Sequence, residues 1–387
     1  VRGAPEGTRF LLPGEARTRG RLLDELRRLY DGWGYEPVGV PALEIYDPDH
    51  PRARQAFKLT DRDNDLLALR SDFTPALAQL VSFHFPRSLH GEAPARLQYS
   101  GEVWHAINPD LARIREFTQV GIELVGVSNA RADAELIHLA RESVRVAGLV
   151  PRVEVGNPGF VRALLSEANV PEALQPALGD AIDRKDLSTV EALLQSGNLG
   201  EQHRQALLQV ADLYGDFGVL EQARRIAPWE STIAELDRLE GILEQFEDPS
   251  ELLLELGMAR RLSYYTGMTF RAYTPDFGQP LLGGGRYDGA LLKAAAGFSI
   301  GVERLLSARL EVQAEETPLV LCADDVLARR LRRAGVRVVR GLTGDSGEEL
   351  ASEALQVGAH YYVAGGRVYA AGEDSRELER LRELLAQ

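Results

Sequence analysis

The sequence predicts an α+β protein with more than one domain, and three observations carry that prediction. Paired runs with strand alternation recur over 57–73 and 95–126. From 158 to 246 the composition turns to Ala, Leu, Gln and Glu at helical spacing, with few strand formers. From Pro318 onward strands and helices alternate. The expected organisation is a core domain over 1–157 and 247–310, a helical insertion over 158–246 and a small α/β domain over 317–387.

In order, the spacing of Leu22, Leu26, Leu29, Tyr30 and Trp33 predicts an amphipathic helix from Pro13 to Trp33. Val38, Val40, Leu43 and Ile45 predict a strand broken near Pro41, which lacks the N–H a ladder needs. Residues 57–73 predict a hairpin turning at Asp61-Arg62-Asp63-Asn64. Thr74-Pro75 opens a helix, with Thr74 as N-cap and Pro75 at the first helical position. Asp72 sits just before it, as a turn or capping carboxylate or as a pocket residue. Two strands then span 95–126, joined by a loop carrying Arg113 and Arg115. On the second, Phe117, Gln119, Gly121 and Glu123 share a face. A glutamine and a glutamate on a half-apolar strand call for a polar partner, because an unpaired buried carboxylate is costly. A helix over 130–147 and a strand over 151–155 follow.

The stretch from Leu252 to Gly289 reads as a strand, a turn and a second strand, ending in a tight glycine loop at Gly283-Gly284-Gly285. Arginine and tyrosine beside such a loop suit a small ligand with a carboxylate and a polar ring. A buried hairpin is the plainer alternative. Gly297 and Gly301 precede a helix carrying Val302, Leu305, Leu306 and Leu310 inward. Arg304 near its start opposes the helix dipole, which calls for an anion or a neighbouring carboxylate.

Composition excludes several classes. The chain has 387 residues, 44% hydrophobic and 26% charged, and a formal net charge of -14. That balance disfavours a nucleic-acid-binding role, since phosphate neutralisation needs cations. One cysteine, Cys322, excludes a disulfide framework and a cysteine metal cluster. No metal-ligand spacing is present among the histidines, so neither metal nor cofactor is expected. The N-terminal residues lack an apolar signal core and no apolar run is long enough to span a bilayer, so a cytoplasmic protein is expected.

Several motifs, in order, resemble histidyl-tRNA synthetase, a class II aminoacyl-tRNA synthetase, over essentially the whole chain. Arg260-Arg261-Leu262-Ser263-Tyr264-Tyr265 resembles its first histidine motif, with Arg261 and Ser263 departing from the pattern. Gly284-Gly285-Arg286-Tyr287-Asp288 resembles the second. Leu69 to Thr74 resembles the segment that holds the amino group, Arg115 to Gly121 the end of motif 2, and Gly297 to Leu306 motif 3. The resemblance implies a class II antiparallel sheet flanked by helices and a shortened anticodon-binding-like C-terminal domain. It also implies a histidine pocket. Asp72, Thr74 and Gln119 would hold the ammonium, Arg260 the carboxylate, Glu123 and Tyr264 the imidazole, and Tyr287 would line the site.

Motif 2 departs from that family. Its run is Trp104-His105-Ala106-Ile107-Asn108-Pro109. His105 stands where an arginine would hold the ATP phosphate, and Ile107 where a glutamate would hold adenine. A neutral histidine does not replace a bidentate guanidinium. With Arg113 and Arg304 these residues form what resembles a degraded ATP site, and adenylation needs that charge stabilisation. Gly101-Glu102-Val103, Arg115 to Gln119 and Ser71 to Pro75 are similar to the synthetase-like regulatory subunits of ATP phosphoribosyltransferase. That resemblance implies a non-catalytic histidine sensor in histidine biosynthesis, with histidine as allosteric effector. It implies a short-form catalytic subunit as partner, and a homodimer through the class II core within the hetero-oligomer. The competing readings are a true histidyl-tRNA synthetase, a paralogue with another ATP-dependent aminoacyl transfer, and a structural partner that no longer binds histidine.

Overall fold

The structure, a computed structural model, describes residues 3–49, 52–108, 114–195, 199–248, 250–259, 265–309, 318–372 and 378–386. It divides into two compact units, Val1–Glu311 and Val312–Gln387.

The first unit is built on a nine-stranded sheet. From one edge the strands run Glu36–Pro37, Ala95–Trp104, Glu116–Val125, Ala295–Gly301, Phe277–Arg286, Thr269–Thr274, Arg152–Gly156, Leu252–Glu255 and Tyr214–Gly215. The pairings from Ala95–Trp104 through Arg152–Gly156 are all antiparallel. One face is covered by the helices Pro13–Gly32 and Ala130–Val146. Val120, Ile122 and Leu124 point into that core beside Leu22, Leu26, Ile137 and Val144. The Tyr30 ring packs edge-on to Phe298 at 6.2 Å, and its hydroxyl meets Ser143 Oγ at 3.0 Å. On the other face the helix Thr74–His84 sets Leu77, Ala78 and Val81 against Leu97, Tyr99, Val103 and Ala295.

The apolar residues of 158–246 form six helices, whose buried side chains join the same core as the sheet. A small three-stranded antiparallel sheet is formed by Leu43–Ile45, Leu66–Leu69 and Lys58–Thr60, with Leu66–Leu69 in the middle. Its turn follows the sequence: Asp61 Oδ1 accepts the N–H groups of Asp63 and Asp65, and Asn64 takes φ 66°. The second unit has the strands Arg337–Arg340, Leu319–Cys322, Tyr361–Ala364 and Arg367–Ala370, parallel except for the last. Its helices are Asp325–Arg333, Gly347–Gln356 and Leu378–Ala386, in the order expected from sequence. Among the described residues no helix is long and apolar enough to cross a membrane.

Three local expectations are corrected. Val38 and Val40 lie outside strands; only Glu36–Pro37 and Leu43–Ile45 are extended ladders around Pro41, because the chain passes from one sheet to the other there. Leu252–Glu255 does not form a hairpin with the following strand. It pairs in parallel with Arg152–Gly156, which separates it from Thr269–Thr274. Gly283, Gly284 and Gly285 form no loop. They lie inside the strand Phe277–Arg286, none at positive φ. Close packing explains Gly284 and Gly285 better than turning does. A Cβ on Gly284 would strike Gly297 O and Phe298 Cβ, and one on Gly285 would come 2.6 Å from Met268 O. Gly284 sits between Phe270 and Phe298 in the register, and the two rings meet edge to face at 5.9 Å above it.

Candidate functional site

The helix-74 face of the sheet holds a buried carboxyl in a cradle of small residues. Strand alternation places Gln119, Gly121 and Glu123 on this face, as the sequence predicts, opposite Gly301, Ser299 and Gly297 of the next strand. Gly285 pairs with Gly297 one strand further. The floor is therefore nearly bare backbone. A Cβ on Gly297 would collide with Glu123 Oε2 and with Ile122 O, so only glycine lets the Glu123 side chain lie across the sheet.

Glu123 is 3% exposed. Thr74 Oγ1 donates to Oε1 at 3.0 Å, and Tyr287 OH donates to Oε2 at 2.5 Å. Burial pushes its carboxyl up to about 7, against the two hydroxyl donors that hold it down, and the Asp72 charge adds to the rise. Thr74 is thus not the N-cap the sequence suggested. Phe73 takes that position without a side-chain cap, and the Thr74 hydroxyl turns away from the helix to the carboxyl. Asp72 Oδ1 accepts the freed Thr74 N–H at 3.2 Å. Gln119 is 8% exposed, and its Oε1 has no hydrogen-bond partner among the described residues. A buried amide oxygen without a donor is costly, so the cradle presents an acceptor for a ligand N–H.

Asp72, Thr74, Gln119, Glu123 and Tyr287 thus fall in one region of the fold: Thr74, Glu123 and Tyr287 in direct contact, Asp72 two residues from Thr74, and Gln119 on the Glu123 face. Arg260 and Tyr264, with Arg261 and Ser263, lie outside the described residues, as does Arg113. The chain just after that motif is anchored by Arg162, which donates to Tyr265 O at 2.7 Å and Thr266 O at 2.8 Å.

The residues of the motif 2 region do other work. His105 Nε2 lies 3.0 Å from Ser71 O and 3.1 Å from Arg52 Nη1. Burial and the Arg52 charge keep its pKa below the ordinary histidine value, although the Ser71 carbonyl and Asp72 oppose this. The Ile107 carbonyl accepts Arg115 Nε at 2.8 Å. Arg304 donates to Pro280 O at 3.0 Å and has no carboxylate within salt-bridge reach among the described residues. Burial holds its pKa below the ordinary arginine value. The carboxylate expected beside it belongs to its neighbour instead: Glu303 accepts Thr118 N–H at 2.9 Å.

Sequence reasoning missed two supports of this site. Arg286 and Asp133 form a buried ion pair, with Nη2 2.6 Å from Oδ1. Arg286 also reaches Asp288 Oδ1 at 2.8 Å and Val127 O at 3.0 Å, fixing the strand end that carries Tyr287. The other is Arg52, whose contact with Asp72 crosses two segments that the sequence does not link. An inward-facing acid at the first turn of 130–146, on a helix whose inward residues are mostly apolar, was the available signal for Asp133.

The chain as a whole is similar to known proteins. The histidyl-tRNA synthetase family profile matches residues 7–305. An ATP phosphoribosyltransferase regulatory subunit of Thermus thermophilus is 48% identical over 330 residues, which cover 85% of this chain and 90% of the relative. One of Deinococcus radiodurans is 41% identical over 348 residues, covering 89% and 84%. A solved structure from Bacillus halodurans, described as an ATP phosphoribosyltransferase regulatory subunit/histidyl-tRNA synthetase, matches with a TM-score of 0.78 at 28% identity, covering 90% and 96%. Histidyl-tRNA synthetase from Nostoc matches with a TM-score of 0.78 at 20% identity, covering 100% and 99%, a likeness of fold alone. With the class II sheet, the motif order and these relatives in agreement, the chain belongs to the family of ATP phosphoribosyltransferase regulatory subunits, built on a histidyl-tRNA synthetase-like domain.

Proposed function

We propose that this chain is a non-catalytic histidine sensor that regulates a short-form ATP phosphoribosyltransferase catalytic subunit. The observation that carries the reading is the buried Glu123 carboxyl, held by Thr74 and Tyr287 and with lone pairs left for a nitrogen donor. An imidazole N–H satisfies that acceptor. Asp72, Thr74 and Gln119 receive the ammonium group, Arg260 the carboxylate, and Tyr264 closes on the ring. The lack of catalysis rests on His105 and Ile107. A neutral, half-buried histidine bonded to a main-chain carbonyl supplies no fixed positive charge for a phosphate, and an isoleucine side chain accepts no hydrogen bond.

The partners follow from the same reading: the catalytic subunit, and a second copy of this chain through the class II core. The site of action is the cytoplasm, where a biosynthetic enzyme meets its end product. Residues 158–246 are read as the helical insertion of this family and 317–387 as its reduced anticodon-binding-like domain. Linkage then requires the assembly state that histidine favours to be the state that binds histidine more tightly. The test is threefold. Calorimetry with histidine should show binding, and no heat or thermal shift would defeat the pocket. ATP–pyrophosphate exchange with histidine should be absent, and clear exchange would return the chain to the synthetases. Co-purification with the short catalytic subunit should succeed, and phosphoribosyl transfer by the complex should respond to histidine.

A further inference from the structure

The Asp72 carboxylate, assigned above to a ligand ammonium, is already engaged. One oxygen accepts Thr74 N–H, and the other faces Arg52 Nη2 at 3.5 Å. The two side chains are 27% and 23% exposed, so solvent screens them only in part. Arg52 reaches the same segment twice more. Its Nη1 donates to Ser71 O at 3.3 Å and lies 3.1 Å from His105 Nε2. An always-charged guanidinium thus rests at the edge of the pocket, in the place an incoming cation needs.

Arg52 also belongs to a different part of the chain from Asp72. Its carbonyl accepts Gln55 N–H at 2.8 Å, and the Gln55 carbonyl accepts Ala106 N–H at 2.7 Å. This segment runs directly into the strand Lys58–Thr60 of the small sheet. The small sheet exposes an aliphatic face: Leu43, Ile45, Leu59, Leu67 and Leu69 share one side by register, and Ile45 is 86% exposed. A movement of Arg52 therefore has a short covalent path to a surface well outside the pocket.

We infer that Arg52 is a latch on the ligand site: an ammonium group reaching Asp72 displaces the guanidinium and releases the segment from Arg52 to Thr60. Two cations on one partly buried carboxylate repel each other. The long 3.5 Å contact to Arg52 yields to a shorter one from the ligand. Pocket occupancy and the position of the small sheet are thereby two readings of one equilibrium. The inference rests on the histidine site proposed above.

The experiment compares the full-length protein with Arg52→Ala and Arg52→Gln, by histidine calorimetry and by amide hydrogen exchange with and without histidine. Removing a competing contact returns the fraction of molecules held latched, so both variants should bind histidine about three- to tenfold more tightly. Histidine should speed exchange at the Ala106 amide in the unaltered protein and leave it unchanged in the variants. Arg52→Gln keeps a donor for Ser71 and decides the matter if Arg52→Ala fails to fold. Equal or weaker binding by the variants, or an Ala106 amide indifferent to histidine, overturns the latch and leaves the site standing. No binding by the unaltered protein removes the site, and the latch with it.

Discussion

Replacing Glu123 by glutamine tests the buried carboxyl directly, because the change keeps the shape and removes the titration. In the folded chain the Glu123 carboxyl titrates at about 7, against 4.5 ordinarily. Between these values the folded protein retains a proton that the unfolded chain has lost. Stability contributed by that proton is full below 4.5 and disappears as pH rises through about 7. At roughly 1.4 kcal/mol per pH unit, the loss across the window is about 3 kcal/mol. Glu123→Gln has no such slope, and titrating groups that do not interact with Glu123 cancel in the comparison. The unaltered protein should therefore lose about 2–3 kcal/mol relative to Glu123→Gln between pH 5 and pH 8. The new amide changes the hydrogen bonds with Thr74 and Tyr287, but that offset does not vary with pH. Trp33, Trp104 and Trp229 all lie in the first unit, so tryptophan fluorescence during urea unfolding follows this unit without contribution from the second. Parallel stability curves for the two proteins across this range would refute the reasoning and place the Glu123 carboxyl in an ionised, solvated setting.

Histidine affinity should be bell-shaped in pH, with its optimum between the free imidazole value, about 6.5, and the Glu123 value. The bound pair shares one proton, so affinity falls when both groups carry one and when neither does; a flat calorimetric profile from pH 5 to 8 would exclude the imidazole–Glu123 contact. Gly297→Ala places a methyl against Ile122 O and the Glu123 carboxylate, and should cost about 1–3 kcal/mol in urea unfolding and abolish histidine binding. Gly283→Ala meets only ordinary contacts at 3.7 and 3.8 Å and should leave the unfolding midpoint nearly unchanged. Arg286→Met leaves Asp133 buried without its partner and should destabilise the first unit by about 3–5 kcal/mol, measured in the same way.

Much of the fold was legible because it rests on local periodicity. The helix from Pro13, the hairpin turn at Asp61 to Asn64 and the strand–helix alternation after Pro318 are each specified by residues close in sequence. What failed was long-range pairing. Nothing in Leu252 to Leu256 says that its neighbour is Arg152–Gly156, since that parallel contact crosses the whole helical stretch. The glycine run misled for a related reason. Three consecutive glycines suggest a turn when only φ freedom is considered. Here two of the three are glycine because of what lies across the sheet from them, Phe298 above Gly284 and Met268 O beside Gly285.

The site shows the same division at finer grain. Gln119 and Glu123 declared themselves because two polar residues on a strand face of alternating pattern ask for a partner, whatever the tertiary fold. His105 and Ile107 were legible only as departures from a motif, as the loss of a charge and of an acceptor. The structure adds a contact that no motif carries: a guanidinium from Arg52 stands 3.1 Å from the histidine found where the resemblance expects one. His105 stands just past Trp104, the last residue of its strand to pair in the ladder. Arg52 reaches in from outside the large sheet, on a segment tied there by the Gln55–Ala106 hydrogen bond. A charge held that way is poorly placed to stabilise a transition state, which requires donors that do not reorganise. It is well placed to move when another cation arrives. A guanidinium that reaches in from the segment at 52–55 therefore fits the proposed sensor better than an enzyme that must activate its ligand.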